Sequence, residues 1–417
     1  MSASVHLEIC VLGLCFLHVL ALNPPQVSLK QGVARGFYDT TVNGRPFAAF
    51  LGIPYARPPI RKHRFKEALP AEPWTGVYNA AFEPPMCLQY DHVTYKTDFP
   101  VHGNEDCLYI NVFTPQVPNG NMTHYDVIVF IHGGAFMFSS GFVYGPQKLL
   151  DKDIVFVTFN YRLGPLGFLS TEDDIVPGNM GLKDQTLALK WVKKNIAAFG
   201  GNPDSVTITG MSAGGSSVHY HMLSPLSKGL FNRVISVSGT ALCPWAQTEN
   251  AKEKAHMIAS SLGCPVDNST ILVECLRNRP AKQILEATRM FMPWLYNPFS
   301  PFGPVVEKAG KRPFIDRSPI EIIKTGVISD VPLLMSFTLD EGLYPAAEII
   351  CTGDSLNELN KEWIKLAPYV LDYIHTVPPD QLNNVSKNIW IRYVGEKEEA
   401  NLQEIIQVIL FLRFMHN

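Results

Sequence analysis

Ser212 stands between two glycines in Gly210-Met211-Ser212-Ala213-Gly214, directly after the β-branched stretch Val206 to Thr209. That stretch reads as a buried strand, and the small residues after it, Gly214-Gly215-Ser216-Ser217, lead into a helical stretch ending near Leu223. Strand, sharp turn and helix in this order hold a serine in a strained conformation with its hydroxyl at the tip, and glycines at 210 and 214 remove the β-carbons that would clash there. Ser212 is therefore a candidate nucleophile. A five-residue pattern of this kind recurs by chance, so the context on either side carries the reading.

Attack on a carbonyl builds negative charge that must be held. Upstream, the apolar run Val127 to Ile131 reads as a central parallel strand covered on both faces, and it ends in His132-Gly133-Gly134. The N–H groups of Gly133 and Gly134, joined by that of Ala213, would form a three-donor oxyanion hole. Alone, such a glycine pair is equally a plain turn after a strand. Paired with the turn at Ser212, the oxyanion assignment is favoured.

Further stretches of the same kind are Glu105-Asp106-Cys107-Leu108-Tyr109-Ile110-Asn111-Val112-Phe113-Thr114-Pro115, Gly52-Ile53-Pro54-Tyr55-Ala56, Asn160-Tyr161-Arg162-Leu163-Gly164, Gly178-Asn179-Met180-Gly181-Leu182-Lys183-Asp184-Gln185 and Ser238-Gly239-Thr240. With these motifs the chain resembles the type-B carboxylesterases of the cholinesterase-like α/β-hydrolase family, most of all the insect esterases, from about Val27 to about Gly395. The resemblance implies an α/β-hydrolase fold over residues 22–417, with a mostly parallel central sheet flanked by helices. It implies acyl transfer from a small-molecule ester to Ser212, then hydrolysis by water, with no cofactor. It also places the acid at Glu341, after a strand read at Val331 to Phe337; the neighbouring Asp340 is read as loop solvation. The acid's role is to orient and stabilise an imidazole.

In this family the histidine follows the acid in a His-Gly-type loop. The 76 residues after Glu341 contain only His375 and His416, and neither lies in such a loop. The chain therefore reads as a member shortened before its general base. Its last apolar run, Ile405 to Phe414, resembles a segment that further chain would cover, and it is too short to span a bilayer, which needs about 20 residues. No stable membrane insertion is expected, and an unpaired sheet edge with exposed apolar surface is.

Other residues read as scaffold or processing signals. By resemblance Arg64 pairs with Glu105, Arg162 with Asp184, Cys87 with Cys107 and Cys264 with Cys275. Cys243 and Cys351 are read as buried free thiols. The stretch Leu182 to Ile196, with Ala188, Val192 and Ile196 on one stripe, reads as a covering helix. Residues 1–21 read as a signal peptide from the uncharged apolar stretch Ile9 to Leu22 and the small residues at Val19-Leu20-Ala21, hence a secreted protein. Sequons at Asn121, Asn268 and Asn384 fit that route. With 35 basic against 38 acidic residues and no basic cluster interleaved with aromatics, nothing calls for a nucleic-acid partner and none is expected; no C-x-x-C or histidine cluster suggests a metal, and nothing sets an oligomeric state.

Cholinesterase-like relatives stack a quaternary ammonium on a tryptophan between the first two cysteines, a cation–π contact. Between Cys87 and Cys107 there is no Trp, and Met211 stands where cholinesterases carry glutamate and juvenile-hormone esterases glutamine. The expectation is an unspecialised gorge for uncharged carboxylic esters. Trp245 lines its acyl side by resemblance; a plain core tryptophan is the alternative. A second hypothesis, a silent relative acting by binding, is opposed by the retained serine and favoured by the missing histidine.

Overall fold

The computed structural model describes residues 23–93, 100–117 and 124–415. The signal-peptide residues 1–21, the sequon at Asn121 and His416 lie outside them.

Eight strands form the central sheet among the described residues: β1 (Phe37–Thr40), β2 (Pro46–Pro54), β3 (Tyr109–Thr114), β4 (Tyr125–Ile131), β5 (Ile154–Phe159), β6 (Gly201–Met211), β7 (Arg233–Val237) and β8 (Leu333–Ser336). Their spatial order is β8-β7-β6-β4-β5-β3-β2-β1. The half from β5 to β8 is parallel, and β1, β2 and β3 are antiparallel. This is the expected α/β-hydrolase architecture, with helices on the faces of a mostly parallel sheet. Val127, Val129 and Ile131 of β4 and Val206 and Ile208 of β6 are fully buried, as apolar runs covered on both faces must be.

Register is what assembles a site. Ile131 of β4 stands beside Gly210 of β6, Met211 beside Val237 of β7, and Val237 beside Ser336 of β8. The four carboxyl ends are level, so the loops that follow open on one side, where open α/β sheets place their ligands. Those loops begin with His132-Gly133-Gly134, Ser212, Ser238-Gly239 and Phe337 to Glu341.

The helix α1 (Met180–Asn195) matches the expected position, but it is enclosed on more than a stripe: Lys183, Asp184 and Gln185 are buried along with Ala188 and Val192. Buried charge of this kind requires partners. Arg162 donates from Nε and Nη2 to the two carboxylate oxygens of Asp184, both at 2.7 Å. Lys183 Nζ donates to Glu307 Oε2 at 2.9 Å, and Arg64 forks onto Glu105 at 2.7 Å on both arms. Burial raises the Asp184 pKa while the Arg162 guanidinium opposes that shift.

Two local expectations need correction. Cys351 is exposed, because it ends helix α3 (Leu343–Cys351) at the surface rather than facing its packed side; Cys243 is buried as expected. The strand read from Val331 to Phe337 is only β8, and it lies at the sheet edge with Leu334 60% and Phe337 63% exposed. One neighbour is all that β8 has among the described residues, so its outer backbone edge and apolar side chains face outward. The last apolar run forms helix α4 (Leu402–Leu410), which buries Ile405, Ile406, Val408 and Ile409 in a second core cluster with Trp363 and Ala346.

Cysteines 87 and 107 are disulfide-bonded, as are 264 and 275. Asn268 is exposed and caps its helix, accepting from the N–H groups of Thr270 and Ile271. Asn384 is exposed within the helix Leu382–Tyr393, but the Ser386 of its sequon is buried and donates to the Leu382 carbonyl.

Candidate active site

Ser212 has φ 58° and ψ −122°, outside the ordinary regions for a residue with a β-carbon. The strain is held from three sides. Its N–H donates to the Val237 carbonyl at 2.8 Å, and its carbonyl accepts from Ser216 N at 2.9 Å. A β-carbon at Gly214 would run into the Ile131 carbonyl, and one at Gly239 into that of Ser212. The helix α2 (Ala213–Leu223) starts immediately after the turn, so its positive end points at the Ser212 hydroxyl.

The facing wall comes from the loop after β4. Gly134 has φ +96°, and a β-carbon there would meet the Phe138 carbonyl; one at Gly133 would lie 2.6 Å from the Met211 carbonyl. The backbone N–H groups of Gly133, Gly134 and Ala213 have no acceptor among the described residues. His132 points away from this opening: it stacks on Tyr161 with centroids 4.3 Å apart, and its Nδ1 donates to the Gly133 carbonyl at 2.9 Å. Burial lowers its pKa to about 4, so it is a neutral support for the glycine loop.

A cavity of about 610 Å³ opens over these groups, and its wall includes Gly133, Gly134, Ser212, Trp245 and Glu341. Glu341 Oε1 accepts from the Thr338 N–H at 2.8 Å, which turns the carboxylate inward. Asp340 is not part of the wall. Trp245 lines this cavity and also a small recess behind it that holds Lys254, Asp372 and His375. His375 thus stands on the far side of Trp245, where its Nδ1 is 3.3 Å from Asn250 Nδ2. Among the described residues no histidine hydrogen-bonds Ser212 or Glu341. The cavity wall also contains residues that sequence reading did not single out, among them Asp91, His102 and Arg413, the last visible there only as the one charge inside a terminal apolar run.

The helix behind Ser212 depends on a neutral histidine. His221 Nε2 donates to Gln185 Oε1 at 2.9 Å, its Nδ1 accepts from the Ser227 hydroxyl at 2.7 Å, and burial lowers its pKa to about 3. An unfolded chain takes up a proton near the ordinary value of 6.5, which the native imidazole refuses until about pH 3. The native state therefore binds fewer protons between those values, and stability falls as pH drops through that window, by about 1.4 kcal/mol per pH unit for this one group. Urea midpoints measured from pH 7 to pH 4.5 are expected to fall less steeply in His221→Gln than in the parent. Equal slopes would assign the acid sensitivity to other groups.

The residues 23–412 match the family model described as "Carboxylesterase family". Venom carboxylesterase-6 of Apis mellifera is 48% identical over 387 residues, which make up 92% of this chain and 69% of the bee protein. Esterase FE4 of Myzus persicae is 47% identical over 94% of this chain and 70% of its own length. Among solved structures, juvenile hormone esterase from Manduca sexta with OTFP covalently attached superposes with a TM-score of 0.83 at 32% identity, covering 94% of this chain and 74% of that one.

Proposed function

Because this chain belongs to the carboxylesterase family and is thereby a carboxylic ester hydrolase, we propose that Ser212 is its nucleophile and that hydrolysis passes through an acyl-enzyme on that residue. The observation that carries the proposal is the strained Ser212 in one cavity with Gly133 and Gly134, whose backbone N–H groups, like that of Ala213 next to Ser212, have no acceptor among the described residues. Ser212 Oγ attacks the ester carbonyl, and the oxygen that becomes negative is received by the N–H groups of Gly133, Gly134 and Ala213. The tetrahedral adduct collapses with loss of the alcohol, and water then cleaves the acyl–Ser212 bond. The covalent adduct in the similar Manduca sexta structure supports covalent chemistry in this fold.

Glu341 is the acid in this proposal, preferred over Asp340 because its carboxylate lines the cavity. An acid of this kind acts through an imidazole. With no histidine hydrogen-bonded to Ser212 among the described residues, imidazole added to the 417-residue chain is expected to accelerate p-nitrophenyl acetate hydrolysis several-fold, and to do nothing for Ser212→Ala. An equal response in both proteins would mark it as solution catalysis.

The substrates proposed are uncharged carboxylic esters. The wall carries no tryptophan from the Cys87–Cys107 loop among its described residues, and Trp245 closes the acyl side. Secretion is proposed from the apolar leader, Ile9 to Leu22, and the sequons. None of the described helices is long and apolar enough to cross a membrane.

A further inference from the structure

A buried cation stands in the wall of the Ser212 cavity, and ester hydrolysis as described leaves it without a role. Arg413 lies one turn beyond α4, whose apolar face is buried in the second core cluster. That packing presses the segment onto the loop carrying Glu341: a β-carbon at Gly342 would run into the Ile406 carbonyl and lie 2.9 Å from Leu410 N. Arg413 is thereby held where it is 1% exposed and lines the cavity.

Its guanidinium is only partly answered. Nη2 lies 2.6 Å from Asp372 Oδ2, an ionic contact without the alignment of a hydrogen bond. The Phe299 ring lies 5.8 Å from Cζ and offers its π-face. Nε and Nη1 are buried with no acceptor. Arginine stays protonated, so these donors cannot be silenced by losing a proton, and leaving buried charged donors unmet is costly. Asp372 does not serve Arg413 alone, because Lys254 also interacts with it, and Lys254 in turn feels Glu249 and Glu253. The carboxylate side chains of the cavity wall itself are those of Asp91 and Glu341.

We propose that Arg413 is a specificity-determining residue that binds a carboxylate carried by the substrate, so that the cavity accepts half-esters of dicarboxylic acids in addition to uncharged esters. The proposal rests on Ser212 as the reacting serine and deepens that assignment. A carboxylate matches the guanidinium in shape and charge. A single negative charge fits better than a phosphate dianion, since Asp91 and Glu341 share the same wall. The volume of about 610 Å³ leaves room for an aliphatic chain between the two ends. No bond to the bound carboxylate changes: the acyl carbon at the other end is transferred to Ser212 with loss of the alcohol, and water releases the dicarboxylic acid.

Binding is measured first, by tryptophan fluorescence, with monomethyl adipate and dimethyl adipate titrated into the 417-residue chain carrying Ser212→Ala. That background separates recognition from turnover. The monoanion is expected to bind more tightly than the diester, and Arg413→Met to weaken the monoanion by about tenfold or more while leaving the diester within about twofold. Arg413→Lys is expected to recover part of the preference, since it keeps the charge and loses the fork. Equal affinity for the two ligands in the parent overturns the proposal, and so does equal weakening of both by Arg413→Met, which would make the residue a clamp for the segment after α4. If Arg413→Met does not fold, the parent decides by itself: its preference must fade as the half-ester is protonated on acidification. Discriminating binding with no serine-dependent hydrolysis by the parent would sink the Ser212 assignment and leave Arg413 standing.

Discussion

With imidazole supplied as the base that no described histidine provides, replacing Ser212 with alanine is expected to remove the several-fold acceleration of short-chain p-nitrophenyl ester hydrolysis and to abolish labelling by a fluorophosphonate probe. The change removes one oxygen and leaves the turn in place. Alanine adopts φ 58° no less readily than serine, Val237 still accepts from the residue 212 N–H, and Gly214 and Gly239 still leave the space that the turn requires. Binding of an uncharged ester should change little, since the three N–H donors and Trp245 remain. The residual rate would then report what the donors achieve without a nucleophile. Far-ultraviolet circular dichroism and the urea midpoint should match those of the parent. An equal acceleration by imidazole in the folded variant and in the parent would place the chemistry elsewhere than at Ser212.

Gly134→Ala is expected to cost about 10² to 10³ in kcat with a much smaller change in KM. A β-carbon at this position would overlap the Phe138 carbonyl, and φ +96° is a conformation that alanine resists. Relief requires the loop after β4 to move, which takes the Gly134 N–H out of line with the developing oxyanion. That donor is needed most where negative charge is fully formed, so the loss falls on the transition state rather than on the bound ester. Gly44→Ala is the control. It also has positive φ, +81°, but nothing lies within 4 Å of a β-carbon there, so backbone strain is introduced without displacing a neighbour. If both variants lose activity in proportion to their loss of stability, the Gly134 effect is one of folding and not of charge stabilisation.

The parts of the site legible in the sequence are those enforced locally. Gly210, Gly214 and the Gly133-Gly134 pair are glycines because a β-carbon would collide with backbone at each place, and residue type alone reports that demand. The apolar runs that became β4 and β6 are continuous because both faces of those strands are covered, so their length and composition also mark them in advance. The scaffold ion pairs Arg64–Glu105 and Arg162–Asp184 were placed by resemblance.

Other features were decided only when distant segments met. Asp340 and Glu341 are adjacent carboxylates, and the backbone turn that ties Glu341 to the Thr338 N–H selects which of them enters the cavity. The distance of His375 from the chemistry depends on Trp245 standing between two cavities, which no spacing in the chain records. Lys183 and Glu307 lie 124 residues apart and meet only after α1 has docked. Arg413 is the clearest case: in the sequence it is a lone charge in an apolar run, and it becomes a buried cation facing Ser212's cavity because α4 packs against α3 and the loop at Gly342. Backbone conformation is a property of each residue and its neighbours, so the sequence alone determined the turn, the glycine loop and the strands that carry them. Burial and charge partnership depend on which surfaces come together, so tertiary structure alone decided which carboxylate, which tryptophan face and which cation surround the serine.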